Sequence, residues 1–498
     1  MRNPMFVFDE KMADLVLGYC RQRLALDPVP LDYGGYAASL PSSLRDVLGG
    51  LISPEGNDPA RVLELFSDHL ATAVISADSP RYLSFIPAAP TKASLLFDMV
   101  VSSGSLHGTS WLEAAGAVAA ENQVLTFLAE LAGLPKGAGG CFVSGGSAAN
   151  LSALMVARDT ASLRGNTTQR PRIACTDEAH SSVGKALHVL GVEPFLVPAV
   201  DHRLSGEVLE AALSSDQPGA ADVVGVVATA GTTNAGLIDD LSGVGAVARR
   251  RGLWFHVDGA YGCGALLSPA ARPLFDGMEL VDSFVVDPHK WLFAPYDCAA
   301  LIYRQPALAK AVHTQDAAYL DVIHVALPGS AGAGAAGAGD GEAGATGAGP
   351  GAAGSGATGS GAETDIGIGD EPWNPTDYAY HLSRRARGLP LWFSLAVYGT
   401  DAYRDAVETA LANARAAAAL ISATPYLELV REPTLSIVLF RRKGWSRSDY
   451  ENWSARLLAD QVAFVTPTSW EGEPTARFAL LHPDTTADIV REIIETMA

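Results

Sequence analysis

The sequence has few cysteines and no long apolar run. Its five cysteines, in 498 residues, are scattered without a CxxC pair or a histidine at metal-ligand spacing, which argues against a disulfide framework and a zinc site. No stretch of about 18 apolar residues is present, and the N-terminus reaches Asp9, Glu10 and Lys11 before any signal-like segment. We therefore expect a cytoplasmic protein that binds neither a metal nor a membrane.

Positive charge is also scarce. The chain has 35 Lys and Arg residues against 55 Asp and Glu residues, a formal net charge of -20. Such an acidic surface repels nucleic acid and anionic lipid, which argues against both as partners. The length and the hydrophobic fraction of 48% predict a globular protein with more than one core.

The pattern along the chain predicts three parts. Residues 1–93 begin with apolar residues at helical spacing and are then interrupted by prolines, which indicates an N-terminal helical arm. Residues 94–395 alternate helical stretches with short Val-rich runs, which predicts an α/β fold with a mostly parallel sheet and helices on both faces. These runs lie at 141–146, 172–177, 223–231, 253–262 and 282–288.

The last part and one insertion differ from this pattern. Residues 396–498 mix helices with strand-like runs such as LSIVLF, which predicts a small α+β domain. Residues 329–362 are almost wholly Gly, Ala, Ser and Thr. This composition cannot bury enough apolar area to fold, so we expect a flexible insertion within the large domain.

Two charged residues follow apolar runs in positions suited to chemistry. Lys290, one of seven lysines, lies in DPHKWLFAP, where burial would lower its pKa and prepare the amine to attack a carbonyl carbon. Asp258 ends the run WFHVD, at the edge of a parallel sheet where ligands bind. A protonated pyridine nitrogen would be a fitting partner for this carboxylate. The alternatives are a surface lysine at a strand end and a turn aspartate before Gly259.

Two further segments could contact a ligand. The run FVSGGSAANL places a glycine pair between a strand and a helix, whose first amide groups can bind a phosphate. It lacks the Lys-Ser/Thr of a nucleotide-triphosphate loop and the third glycine of a dinucleotide fingerprint. His180, in TDEAHSS, begins another helix and could stack on a pyridine ring. The alternatives are a tight connection and a structural histidine.

Five ordered blocks together resemble one enzyme family. SGGSAAN, DEAHSS, TAGTTNAG, HVDGAYG and DPHKW resemble the aromatic-amino-acid, histidine and glutamate decarboxylases of group II, which use pyridoxal 5′-phosphate (PLP). The resemblance covers nearly the whole chain. It implies the type I PLP-dependent transferase fold of the aspartate aminotransferase class. It also implies a homodimer with active sites at the interface, in which residues 1–93 contribute to dimerisation and residues 94–395 bind PLP.

The resemblance assigns roles to individual residues. Lys290 matches the lysine that holds PLP as a Schiff base, Asp258 the partner of the pyridine nitrogen, and His180 the residue stacked on the ring. The remaining cofactor contacts implied are Ser147, Ala148 and His289 near the phosphate, and Thr233 and Ala260 along the ring. The implied reaction is decarboxylation of an L-amino acid to an amine and carbon dioxide.

The substrate is predicted from a mixed set of side chains. The resemblance implies a pocket of Phe85, Ile86, Pro87 and Tyr296, completed by His107 and Thr109 of the neighbouring subunit. Its apolar and aromatic members favour an aromatic amino acid. His107 and Thr109 match positions that are more apolar in aromatic-specific relatives, so an acidic or polar substrate is the alternative.

The chain departs from the family pattern at two places. In the family, a loop tyrosine is associated with protonation of the substrate Cα; here the insertion leaves Tyr378 or Tyr380 for that role, and we favour Tyr378. If neither reaches the site, oxidative deamination to an aldehyde is the alternative, beside transamination and a non-catalytic binding protein of this fold. Asp287 stands where many relatives carry Asn, and an anion beside a phosphate is unfavourable without an intervening donor. The sequence offers no explanation for it.

Overall fold

The computed structural model describes residues 3–31, 34, 39–87, 89–324 and 373–498. The predicted Gly/Ala-rich insertion at 329–362 lies outside the described residues. The five cysteines lie within these ranges and are free thiols. In the same ranges, no helix has the length and apolarity needed to cross a bilayer, and no group of three potential metal-ligating side chains is found.

Three helices begin the chain: α1 (Glu10–Leu24), α2 (Pro41–Leu48) and α3 (Pro59–Leu65). Helix α1 starts where the Asp9 side chain accepts a hydrogen bond of 3.0 Å from the Met12 amide. This helix lies wholly within the described ranges and buries none of its residues. Its exposed apolar side chains include Met12, Val16 and Leu17. Such an uncovered apolar face is typical of a surface that contacts another protein.

The next part is built on a seven-stranded sheet, the large sheet. Its strands are β1 (Gly139–Val143), β2 (Arg172–Cys175), β3 (Glu193–Leu196), β4 (Val223–Thr229), β5 (Trp254–Asp258), β6 (Ser283–Val286) and β7 (Ala299–Tyr303). They lie in the order β1-β7-β6-β5-β4-β2-β3, and only β7 runs antiparallel to its neighbours. The predicted mostly parallel sheet is therefore confirmed.

Helices cover both faces of the large sheet. The helices of this part of the chain are α4 (Lys92–Ser103), α5 (Trp111–Leu131), α6 (Gly146–Asp159), α7 (Ser181–Leu190), α8 (Gly206–Leu213), α9 (Leu241–Arg251), α10 (Pro288–Trp291), α11 (Pro306–His313) and α12 (Leu389–Ala423). Successive residues of β4 enter different cores: Val226 belongs to the core that includes α5, α8 and α9, and Val227 to the core that includes α6, α7 and α11. This period of two follows from strand geometry and accounts for the Val-rich runs.

A four-stranded antiparallel sheet, the small sheet, ends the chain. Its strands are β8 (Leu427–Leu429), β9 (Ile437–Arg442), β10 (Thr468–Trp470) and β11 (Glu473–Ala479), in the order β10-β11-β9-β8. It packs with α12, α13 (Arg447–Ala459) and α14 (Ala487–Glu495) around a separate apolar core. The predicted boundary at residue 396 falls inside α12, close to a non-helical residue, Gly399, with a φ of 77°.

Candidate active site

A cavity of about 210 Å³ lies at the carboxyl edge of the large sheet. The loops that follow parallel strands meet at this edge, which is where open α/β sheets bind ligands. The residues that line the cavity come from the starts of α6 and α7 and from the loops after β4, β5 and β6. They are Gly145, Gly146, Ser147, Asn150, Glu178, His180, Ser182, Thr229, Gly231, Thr232, Thr233, Asp258, Ala260, Tyr261, Asp287, His289 and Lys290.

Lys290 reaches the cavity from the short helix α10. Its Nζ lies 2.8 Å from Oδ2 of Asp287, one turn earlier in the chain. Burial lowers the pKa of Lys290, but the charge and hydrogen bond of Asp287 raise it by more, so the net shift is upward. The sequence-based expectation of a lowered pKa is therefore wrong for the cofactor-free chain, because it did not include this carboxylate.

Asp258 ends β5 and is 5% exposed. Its Oδ2 accepts a hydrogen bond of 2.9 Å from Nδ2 of Asn150, and its Oδ1 accepts one of 3.2 Å from the Ala260 amide. Oδ1 of Asn150 lies 2.9 Å from Nε2 of His256, and burial lowers the pKa of His256 to about 4, so its ring is neutral. Nε2 therefore donates to Asn150, because Nδ1 lies 2.8 Å from the Ser283 hydroxyl and can accept its proton. This series of hydrogen bonds, from Ser283 through His256 and Asn150, fixes the orientation of the Asp258 carboxylate.

His180 lies at the start of α7 and lines the same cavity as Lys290. Its Nδ1 accepts a hydrogen bond of 3.2 Å from the Ser182 amide and lies 2.8 Å from the Ser182 hydroxyl. That hydroxyl also receives a hydrogen bond of 3.0 Å from Nδ2 of Asn150. His180 is exposed to the cavity, and Asn150 connects it to Asp258.

The predicted phosphate loop is the first turn of α6. A Cβ on Gly146 would lie 3.1 Å from Cβ of Ala260 and 3.2 Å from Oδ2 of Asp287, so glycine permits the close packing here. Ser147 lines the cavity, whereas Ala148 is buried behind it and does not. The Gly146 amide donates a hydrogen bond of 3.2 Å to Asp287, a carboxylate where the sequence predicts a phosphate.

This set of side chains fits PLP. The amine of Lys290 suits the cofactor's aldehyde, and the buried carboxylate of Asp258, held in place by Asn150, suits its pyridine nitrogen. The start of α6 suits its phosphate. Oδ1 of Asp287 is buried without a hydrogen-bond partner in the described chain, which is a polar group available to a ligand. Thr233, Ala260 and His289 also line the cavity.

Other predicted residues lie outside the cavity lining. Phe85 is 60% exposed, and Ile86 and Pro87 are buried beside it. Tyr296 is 56% exposed, with its ring centre 4.9 Å from that of His289. His107 and Thr109 line a different cavity, of about 930 Å³.

Neither candidate tyrosine for the proton lines the Lys290 cavity. The ring of Tyr378 is 4% exposed and stacks on Trp373 at 4.2 Å, while Tyr380 is 52% exposed. The structure therefore does not bring Lys290 and either tyrosine together within one chain.

Sequence reasoning missed several residues of the site, of which Asn150, Ser182 and His256 carry hydrogen bonds. A signal existed for His256, because it precedes Asp258 by two residues and a strand places such residues on the same face. Asn150 lies one helical turn after Gly146, on the side of α6 that faces the cavity. Glu178 and Thr232 also line the cavity but had no distinguishing pattern.

Comparison with known proteins supports the same chemistry. Residues 41–330, more than half of the chain, match the pyridoxal-dependent decarboxylase conserved domain. An aromatic-L-amino-acid decarboxylase of Bacillus atrophaeus is 28% identical over 462 residues, covering 91% of this chain and 87% of the relative. An L-2,4-diaminobutyrate decarboxylase of Rhizobium meliloti is 29% identical over 414 residues, covering 81% of this chain and 74% of the relative.

The fold also has solved counterparts. The crystal structure of Oryza sativa TDC with PLP and tryptamine superposes with a TM-score of 0.81 at 22% identity, covering 100% of this chain and 99% of that one. The agreement extends over the large sheet and the small sheet together. The chain therefore belongs to the pyridoxal-dependent decarboxylase family and is a PLP-dependent carboxy-lyase with the type I fold.

Proposed function

We propose that this enzyme decarboxylates an aromatic L-amino acid to the corresponding amine and carbon dioxide. The observation that supports an aromatic substrate is a pair of exposed rings beside the cavity. Arg477 donates hydrogen bonds to the carbonyls of both Phe85 and Thr233, so Phe85 lies close to a residue of the cavity lining. Tyr296 lies against His289 on another side. Aromatic side chains of this kind bind a flat apolar substrate well.

The residues predicted from the sequence would hold the cofactor. Lys290 would hold it covalently, Asp258 would pair with its pyridine nitrogen, and His180 would stack on its ring. The other contacts would come from Ser147, Ala148, Thr233, Ala260 and His289. When bound, PLP supplies an electron sink for the electrons of the bond between Cα and the carboxylate.

The protein's own part is to orient charge and supply a proton. Asn150 and the Ala260 amide would keep the Asp258 carboxylate directed at the ring nitrogen. A proton must then reach Cα of the substrate, and Tyr378 remains our prediction for the donor, with Tyr380 as the alternative. Because Tyr378 packs on Trp373 in its own chain, it would serve a neighbouring subunit or move before it acts.

Two other outcomes on the same scaffold have specific support. Neither tyrosine lines the Lys290 cavity. If no proton reaches Cα for this reason, aldehyde formation would be favoured over amine formation. A polar substrate would be favoured by His107 and Thr109, and the Rhizobium meliloti relative acts on L-2,4-diaminobutyrate by its name. We rank both below aromatic decarboxylation, because the Tyr296 ring packs on His289 of the cavity lining and Arg477 ties Phe85 to Thr233 of that lining.

A homodimer would complete the site. Helix α1 leaves an apolar face uncovered, and the cavity that contains His107 and Thr109 is also lined by Tyr319 and Val322, which are largely exposed. A second copy could cover these surfaces and bring His107 and Thr109 to the neighbouring Lys290 cavity. Light scattering of the purified protein would give the mass of a dimer if this assignment is correct.

The domain division and the location stay predictions. We propose an arm at 1–93, a PLP-binding domain at 94–395 and a small domain at 396–498; the separate apolar core of the small sheet supports the last. Four of the cysteines are buried free thiols, which a reducing cytoplasm would preserve.

Incubation of the protein with PLP and a panel of L-amino acids tests the function. We expect visible absorbance of lysine-bound cofactor, and an amine by mass spectrometry from an aromatic substrate. Lys290→Ala should abolish the bound absorbance and the product. Aldehyde as the main product, or an amine only from a polar substrate, would contradict the proposed reaction. An unchanged absorbance in Lys290→Ala would contradict the site.

A further inference from the structure

Asp287 lies between the predicted cofactor lysine and the start of α6. It follows β6 and is 1% exposed. Its Oδ2 lies 2.8 Å from Nζ of Lys290 and accepts a hydrogen bond of 3.2 Å from the Gly146 amide. A Cβ on Gly146 would meet both carboxylate oxygens, at 3.2 and 3.4 Å. The carboxylate is therefore packed directly against the helix start.

A buried carboxylate at this place needs a cation. Oδ1 has no hydrogen-bond partner in the described chain, so the carboxylate is only partly compensated by hydrogen bonds. Its removal from water is costly unless an opposite charge lies close. Lys290 is the cation that supplies this charge, at ion-pair distance.

His289 does not provide a second positive charge. Its Nε2 lies 3.6 Å from Oδ2 of Asp287, beyond a hydrogen bond, and its Nδ1 accepts a hydrogen bond of 2.9 Å from the Cys298 amide. Burial lowers the pKa of His289, so its ring is neutral near pH 7. The other groups whose charge shifts the pKa of Lys290 are Asp258 and Tyr296, and neither is a cation. Glu178 and His180 line the same cavity as Lys290.

We propose that Asp287 is a positioning residue that holds Lys290 as an ammonium group in the cofactor-free enzyme and so sets the pH at which the lysine takes up PLP. This inference rests on the proposed role of Lys290. Nζ must lose a proton before its lone pair can attack the aldehyde carbon. The proton passes to Oδ2 or to water, the carbon–nitrogen bond forms, and the aldehyde oxygen leaves as water. Holding the proton on Nζ delays this step at low pH.

Asparagine has nearly the same size as aspartate and can still accept from the Gly146 amide, but it carries no charge. Asp287→Asn should therefore lower the pKa of Lys290 and allow uptake at lower pH. An opposite charge this close favours the ammonium form of the amine, so its removal favours the neutral amine. We expect the midpoint of the uptake rate against pH to fall.

Cofactor uptake can be followed by visible absorbance in enzyme from which PLP has been removed. The rate is measured across pH for the wild type and for Asp287→Asn, with PLP and with pyridoxal, which lacks the phosphate. A shift with both aldehydes is the expected result. A shift with PLP alone would mean that the carboxylate acts on the phosphate, and no shift with either would mean that it does not control Lys290. Either result would overturn the inference.

Two variants separate this role from general effects. Asp287→Glu keeps the charge and should keep a midpoint near that of the wild type. Asp282→Asn removes a carboxylate at the opposite end of β6, where Asp282 pairs with Arg164 at 2.9 Å, and should leave the midpoint unchanged. An equal shift in Asp282→Asn would attribute the effect to net charge and overturn the inference. If Lys290→Ala keeps the absorbance of bound cofactor, the proposed function itself is contradicted. The failure of the inference and the failure of the proposed function are therefore distinguishable.

Discussion

Asn150 is the residue on which the polar contacts of the site converge. Its Nδ2 donates to Asp258 and to Ser182, and its Oδ1 accepts from the neutral ring of His256. It is fully buried. One amide thus orients the carboxylate and, through Ser182, the histidine at the start of α7.

We predict that Asn150→Ala weakens cofactor binding and destabilises the fold. The change removes the hydrogen-bond partner of Oδ2 of Asp258 and of Nε2 of His256, and leaving such buried polar atoms unpaired costs about 1–3 kcal/mol. Equilibrium dialysis of PLP and chemical denaturation measure the two effects. Ser152→Ala, on the same helix but bonded to the Ala148 carbonyl, is the control. Equal PLP affinity in Asn150→Ala and the control would show that Asn150 does not orient Asp258.

Lys290 and Asp258 are predicted from the sequence chiefly because they lie in the ordered blocks DPHKW and HVDGAYG, since the local pattern alone leaves a structural role open for each. Asn150 ends the SGGSAAN block but has no chemical signal of its own, because a buried amide has many structural uses. The one signal for His256 is its place on the same face of β5 as Asp258. The effect of Asp287 on Lys290 could not be predicted from the sequence either. The direction in which the pKa of Lys290 shifts depends on whether the carboxylate lies within a few ångströms of Nζ.

Among the secondary-structure elements, the strands that are continuous runs of apolar residues are the predictable ones. β4 and β5 lie within the predicted runs because both faces of a central parallel strand are buried. β3 is an edge strand with only Phe195 buried, so it gives no apolar run. β7 is also a fully buried apolar run, but the predicted runs do not include it, and its antiparallel pairing with β1 and β6 is not encoded in its own sequence.

Helices α8 and α9 approach closely at Gly206. A Cβ there would lie 2.4 Å from the backbone carbon of Gly243, and backbone cannot move aside as a side chain can. We predict that Gly206→Ala destabilises the protein by about 1–3 kcal/mol through overpacking. Chemical denaturation measures the change.

Gly184 provides the matched control for this prediction. It lies within α7, where a Cβ would meet nothing within 4 Å. Gly184→Ala should stabilise the protein by up to about 1 kcal/mol, because alanine is the better helix former. Destabilisation of similar size in both variants would contradict the role assigned to the close approach.

At the scale of the whole molecule, side chains join the small sheet to the edge of the large sheet. Arg477 of β11 is 6% exposed and donates to the carbonyls of Phe85, Thr233 and Asn234. Burial lowers its pKa to about 10. The small sheet thereby supports a loop of the cofactor cavity and the predicted substrate residue Phe85.

His202 forms a second connection of this kind. It follows β3, and its ring centre lies 4.0 Å from that of Trp470 in β10. Nδ1 pairs with Glu178 of the cavity lining, and Nε2 lies 3.4 Å from Oε1 of Glu471, after β10. Asp201 and Arg431 pair with each other beside it, at 3.4 Å.

This connection should make stability depend on pH. Burial lowers the pKa of His202, but hydrogen bonds and charges of Glu178 and Glu471 raise it by more, so the net shift is upward. A raised pKa in the folded state means that the protonated ring stabilises the fold at low pH. This contribution is complete below the unfolded pKa, about 6.5, and is lost as pH rises through the folded value.

We therefore predict that His202→Gln lowers the melting temperature more at about pH 6 than at about pH 8.5, because the contribution of the protonated ring is lost as pH rises. Thermal unfolding at both pH values measures the difference. Glu471→Gln, which removes one of the two carboxylates, should reduce the pH dependence without abolishing it. An equal loss at both pH values would mean that His202 acts by packing on Trp470 alone, because that contact does not depend on the charge of the ring.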